Sequence, residues 1–95
     1  PEEIEDKLNS MAMVSESILL QKDDKLVALV HPDMEEAHTL GFTEEDINNI
    51  MEQNRKELNA MIPSFAKVSR IQLHDKEFEK TAKKSIKRYL YQNAI

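Results

Sequence analysis

Cysteine is absent from this sequence, and glycine occurs once, at Gly41. Without cysteine there is no disulfide framework and no cysteine-held zinc. His31, His38 and His74 are not spaced as ligand pairs, so no metal site is expected. A single glycine excludes a glycine-rich phosphate loop, and no Gly-x-Ser-x-Gly elbow marks an activated serine. Nucleotide chemistry therefore cannot be completed within these residues. No apolar run approaches the ~20 residues of a membrane-crossing helix. The opening Pro1-Glu2-Glu3-Ile4-Glu5 shows neither an initiator methionine nor the profile of a signal peptide. It reads as the interior of a longer frame, and the chain as a fragment.

Ninety-five residues suit one domain with one core. A deep cavity for a lipid or a whole nucleotide would consume most of that core, so a complete active site is not expected. The charge is divided along the chain. Residues 1–60 carry 15 acidic and 5 basic side chains, whereas residues 61–95 carry 3 acidic and 8 basic. The front is thus −10 and the tail +5, together the overall −5. Such a tail suits an anionic partner, or else forms the solvated face of a last helix. The overall acidity, with only two tyrosines and three phenylalanines, argues against nucleic acid.

The pattern predicts the element order α-β-β-α-α-β-α. A first helix carries Ile4, Leu8 and Met11 on one face, with Pro1 in its first turn and Glu2 and Glu3 at the positive end of its dipole. Val14–Leu20 and Lys25–Val30 flank an Asp23-Asp24 turn and read as a β-hairpin. The second run is apolar nearly throughout, so both its faces should be covered, and Pro32 ends it. Asp33 caps a short helix through roughly His38, with Gly41 as the stop, and Thr43 with Asp46 resembles a capping box. The helix behind it places Ile47, Ile50, Met51, Leu58 and Met61 on a stripe that Asn54 interrupts, and Pro63 closes it. Lys67–His74 alternates as a third strand, and Thr81 is expected to cap a last helix with Ile86, Tyr89 and Leu90 inward. The expected fold class is α+β: a small three-stranded sheet, hairpin plus third strand, packed with about four helices.

The methionines read as core filler, and the carboxylates of 2–6 and 44–46 as helix-start charges rather than an acid/base pair. The tail remains: Phe78-Glu79-Lys80-Thr81-Ala82-Lys83-Lys84-Ser85-Ile86-Lys87-Arg88. A basic loop entering a helix behind a threonine cap would offer free amides and ammonium groups to an anion. Lysine suits the role as a point charge on a long, mobile stem.

That tail resembles the terminal lysine motif of the adenylate-forming superfamily, in its long-chain fatty-acid–CoA ligase branch. There a Lys-Thr pair precedes a short basic run, an Ile and a Lys-Arg, as Lys80-Thr81, Ile86 and Lys87-Arg88 do here. Pro1-Glu2-Glu3-Ile4-Glu5 resembles the end of the family's hinge motif, and Ser15–Val30 its hairpin. Leu58–Arg70, with Asn59, Pro63 and Phe65, is similar to a further stretch of that branch. The resemblance is collinear over essentially the whole chain. It implies that residues 1–95 are a single C-terminal lid domain of a larger acyl-CoA ligase, pivoting about a hinge just before Pro1 against its own N-terminal domain. ATP, Mg2+, CoA and the fatty acid would be held mainly by that partner domain, with no cofactor in this chain. The full enzyme would be cytoplasmic or membrane-peripheral, and the lid alone inactive.

Aligned on Lys80-Thr81 and Ile86, the family's reactive lysine falls on Ser85, with Lys84 one residue before it. Either Lys84 takes that role through an altered loop, or the chemistry proceeds without that ammonium while the Ser85 hydroxyl bonds a phosphate oxygen. Lys84 and Ser85 are thus the candidate catalytic residues, with Thr81, Lys83 and Lys87 as candidate adenylate- or phosphate-binding residues. An alternative from another class is a free-standing acidic module that binds partner proteins through an exposed apolar groove.

Overall fold

A computed structural model describes residues 2–95; Pro1, read above as a first-turn residue, and the side chain of Glu2 lie outside the described residues. Helix α1 (Glu2–Asn9) leads into a hairpin of β1 (Val14–Lys22) and β2 (Lys25–Pro32). Helices α2 (Met34–Leu40) and α3 (Glu44–Met61) follow, then β3 (Val68–Leu73). Single 3-10 turns occur at Ser64–Ala66, Arg88–Leu90 and Gln92–Ala94. The sheet order is β1-β2-β3, with β1 antiparallel and β3 parallel to the central β2. The fold is α+β, with helices packed on a three-stranded mixed sheet.

Local chemistry accounts for the element ends. Asp23 and Asp24 both have positive φ, 51° and 65°, the geometry of a two-residue type I′ turn between paired Lys22 and Lys25. Asparagine-glycine is the usual solution, and a side chain in this region strains the backbone. Asp24→Gly should therefore raise stability by ~0.5–1 kcal/mol, seen as a higher urea midpoint. A lower midpoint would show that the aspartate's local bonds outweigh the strain.

Asp33 Oδ1 accepts the Glu36 amide at 3.0 Å, and Gly41, φ 72°, terminates α2 in the left-handed conformation. The Thr43 hydroxyl accepts the Asp46 amide at 3.1 Å, and Asp46 accepts the Thr43 amide at 2.9 Å, so the capping box is complete. On the exposed face of α3, a hydrogen bond from Arg55 holds the Glu52 carboxyl below its ordinary range.

Both faces of the sheet are covered. Against α1 and α3, one core joins Leu8, Leu19, Ala28, Val30, Ile47, Met51, Leu58 and Val68. Ile18, Leu20 and Leu29 point the other way, into a second core with Phe78 and Tyr91. β2 is accordingly buried from Val27 to Val30. Bulges place residues that strict alternation would misdirect. The β1 register shifts between Val14 and Glu16, which turns Val14 to the first core and Glu16 toward the tail.

Asn54, the interruption in the α3 stripe, is buried and donates to the Ala12 carbonyl at 2.8 Å, tying α3 to the segment after α1. Asn59 exchanges two 2.9 Å bonds with the Val68 backbone and so fixes where β3 begins. Met61, expected on the core stripe, is instead exposed, three residues beyond buried Leu58.

No last helix forms behind Thr81. Lys80 and Ile86 instead pair as an isolated antiparallel bridge, and the tail crosses the second sheet face in extended and 3-10 conformations. Tyr89 and Leu90, expected inward, are exposed, while Tyr91 is buried. Two causes act together. Lysines and an arginine at 80, 83, 84, 87 and 88 would stack like charges three and four residues apart on a helix. The apolar anchors Phe78, Ile86, Tyr91 and Ile95 reach the second core only along an extended path.

Candidate functional site

The basic tail folds into a small hairpin. The Thr81 amide donates to the Ser85 carbonyl at 2.8 Å, and the Lys84 amide donates to the Thr81 carbonyl at 2.9 Å. Lys84 has φ 65°. This is a three-residue loop, Ala82-Lys83-Lys84, closed by a residue in the left-handed region where glycine is usual. The Thr81 hydroxyl accepts the Ser85 amide at 3.3 Å, so this side chain closes the loop rather than capping a helix. Thr81, Lys83, Lys84 and Ser85 are all exposed at the tip. Lys87 lies half-buried at the base, its amide donating to the Glu79 carbonyl at 2.9 Å.

The five candidate residues are therefore brought together, on a projecting loop rather than at a helix dipole. The arrangement presents two ammonium groups and one hydroxyl to solvent, chemistry suited to an anion delivered by another body.

The hairpin base is held by groups that sequence reasoning did not single out. Lys80 forms an ion pair with Glu16, whose other oxygen accepts the Phe78 amide at 3.2 Å. Arg88 grips both carboxylate oxygens of Glu5, and Glu5 also accepts the Leu19 amide at 2.6 Å. Glu5 is only 6% exposed, so it is more than the helix-start charge that the sequence suggested. A signal existed: Glu5 and Leu8 are three residues apart, so Glu5 shares the buried face of α1. Glu16 likewise alternates with Ile18 and Leu20 toward the tail.

Behind the hairpin, the Phe78 ring sits 5.0 Å from Tyr91 and 5.2 Å from His74, centroid to centroid. The Tyr91 hydroxyl accepts the Glu79 amide at 2.7 Å. His31 bonds the His74 carbonyl at 2.9 Å. Among the described residues no three His, Asp or Glu side chains are grouped to hold a metal ion. No helix of the described residues is long and apolar enough to cross a membrane.

The family described as AMP-binding enzyme C-terminal domain matches residues 1–94, and the chain belongs to it. Among solved structures, it is similar to the adenylation domain of a carboxylate reductase from Mycobacterium chelonae, with a TM-score of 0.79 and 11% identity over 98% of this chain. It is also similar to an ATP-bound RpMatB–BxBclM chimera, with a TM-score of 0.70 and 17% identity over 99% of this chain. At these identities the likeness concerns the fold. The chain spans 16% and 18% of those two proteins. No curated protein sequence matches it.

Proposed function

We propose that this chain is the mobile C-terminal lid of an ATP-dependent fatty-acid–CoA ligase and brings its basic hairpin to an adenylate held by the enzyme's N-terminal domain. The observation that carries this reading is the exposed Lys83-Lys84-Ser85 tip on a body of the AMP-binding C-terminal family. In the first half-reaction a fatty-acid carboxylate oxygen attacks the α-phosphorus of ATP. The new bond is carboxylate O–P, the broken one is the α–β phosphoanhydride, and pyrophosphate leaves. In the second, CoA sulfur attacks the acyl carbon, AMP leaves with the former carboxylate oxygen, and the thiol proton passes to solvent.

This chain contributes charge and exclusion of water. Negative charge develops around the α-phosphate, and the Lys84 ammonium, with Lys83 beside it, stabilises that charge once the lid closes. Electrostatic help of this kind is worth about 2.7–4 kcal/mol for one well-placed donor. Ser85 offers a hydroxyl to a phosphate oxygen, Thr81 holds the loop closed, and Lys87 adds positive potential at its base. ATP, Mg2+ and CoA are bound mainly by the N-terminal domain. The full enzyme acts in the cytoplasm or at a membrane surface, and the 95-residue lid alone is inactive.

The test is a panel of fatty acids of different chain lengths offered to the purified full-length protein with ATP, Mg2+ and CoA. Fatty-acid-dependent release of pyrophosphate and AMP, with thioester formation, is the expected result. Pyrophosphate release with no member of the panel would overturn the fatty-acid reading.

A further inference from the structure

Two acidic side chains from the first strand and first helix grip the basic hairpin on either side. Glu16, on β1, takes the Lys80 ammonium just before the loop. Glu5, on α1, takes the Arg88 guanidinium four residues after it. Both carboxylates are largely withdrawn from water, the Glu16 side chain at 15% and the Glu5 side chain at 8% exposure. Each is further fixed by a backbone amide, from Phe78 and Leu19 respectively. Ordinary surface ion pairs need no such burial and hold little geometry. The cations of these two pairs stay partly exposed, Lys80 at 32% and Arg88 at 42%, so it is the withdrawn carboxylate of each pair that becomes costly if left alone.

The hairpin cannot hold its own direction. It is closed by one bridge, Lys80 to Ile86, and so short a ribbon has no independent stability. What aims the Lys84 and Ser85 tip is whatever clamps its base: Phe78 and Ile86 seat it in the second core, the Tyr91 hydroxyl holds the Glu79 amide, and two ion pairs reach it from α1 and β1.

We infer that Glu5 and Glu16 are positioning residues for adenylate formation, setting the direction of the Lys83-Lys84-Ser85 tip through Arg88 and Lys80. The inference rests on the functional reading given above. Neither glutamate touches the reacting atoms; each acts through its cation. Displacing a reacting group by about 1 Å costs on the order of 10²-fold in rate, so a loosened base should show in the chemistry.

The experiment uses the full-length enzyme with Glu16→Gln, Glu5→Gln, Lys80→Met, the Glu16→Gln/Lys80→Met double variant, and Lys84→Gly as reference. Glutamine keeps an acceptor oxygen for the Phe78 or Leu19 amide and removes the charge. Adenylate formation is followed by pyrophosphate release, and the second half-reaction by thioester formation from synthetic acyl-adenylate and CoA. Each glutamine variant should lower kcat for adenylate formation by ~10-fold or more, with KM for ATP and fatty acid little changed. Thioester formation from supplied adenylate should stay parental, whereas a misfolded fraction would depress both half-reactions equally. Lys80→Met should match Glu16→Gln, and the double variant should lose no more than either single one. Parental adenylate formation in both glutamine variants, with Lys84→Gly impaired, would overturn the positioning role alone. Equal losses in both half-reactions would also overturn it, in favour of a folding role. Parental rates in Lys84→Gly as well would instead remove the Lys84 charge from the functional reading.

Discussion

Removing the Lys84 ammonium from the full-length enzyme is expected to slow adenylate formation by ~10²–10³-fold. Two substitutions separate charge from backbone. Lys84 occupies the left-handed region at φ 65°, which costs an L-residue roughly 1–2 kcal/mol. Lys84→Ala keeps that strain and loses the charge. Lys84→Gly loses both, so its loop closes at least as well as the parental one. If charge is the agent, the two variants fall together in pyrophosphate release. Parental rates in both would remove Lys84 from the site. A slow alanine variant beside a parental glycine variant would assign the position to loop geometry instead. Ser85→Ala should cost only about fivefold, the value of one neutral hydrogen bond.

The elements that sequence disclosed are those held by local chemistry. Caps, the Asp-Asp turn and the proline stops act within four residues, so Asp33, Gly41, the Thr43–Asp46 box and Pro63 mark their boundaries directly. The central strand was equally plain, because an unbroken apolar run needs cover on both faces. What local pattern could not show was the source of the second cover. Ile86, Tyr89 and Leu90 fit a helical stripe, but the sheet's second face required anchors spaced for an extended chain, and tertiary demand overrode the period. The parallel pairing of β3 was hidden for the same reason, since it depends on α3 returning the chain across the first face.

Of the site, the residue types were legible and the geometry was not. Lys83, Lys84 and Ser85 stood out by composition and order, yet the loop they form is anchored by groups far away in sequence: Ile18, Leu20 and Leu29 of the second core, and Glu16 and Glu5, 64 and 83 residues from their cations. Separations of that kind leave no periodic trace.

Phe78→Ala, set against Phe65→Ala, measures how firmly the tail is seated. Phe78 is 3% exposed beneath the hairpin, between Tyr91 and His74 and against Ile18, Leu20 and Leu29. Truncating a buried phenylalanine costs ~3–5 kcal/mol through lost transfer energy and the cavity left behind. Phe65 is 89% exposed, and truncating it should shift stability by no more than ~0.5 kcal/mol. Urea midpoints of the two variants should therefore differ widely, although one benzyl group is removed in each. A small domain has only about 5–15 kcal/mol in total, so Phe78→Ala should also loosen the segment that Phe78 anchors. Trypsin at Lys83 and Lys84 reads that loosening, with faster cleavage under native conditions in Phe78→Ala than in Phe65→Ala. Similar midpoints and similar cleavage would mean that the tail does not close the second sheet face. The clamps on Lys80 and Arg88 would then have no fixed body to pull against.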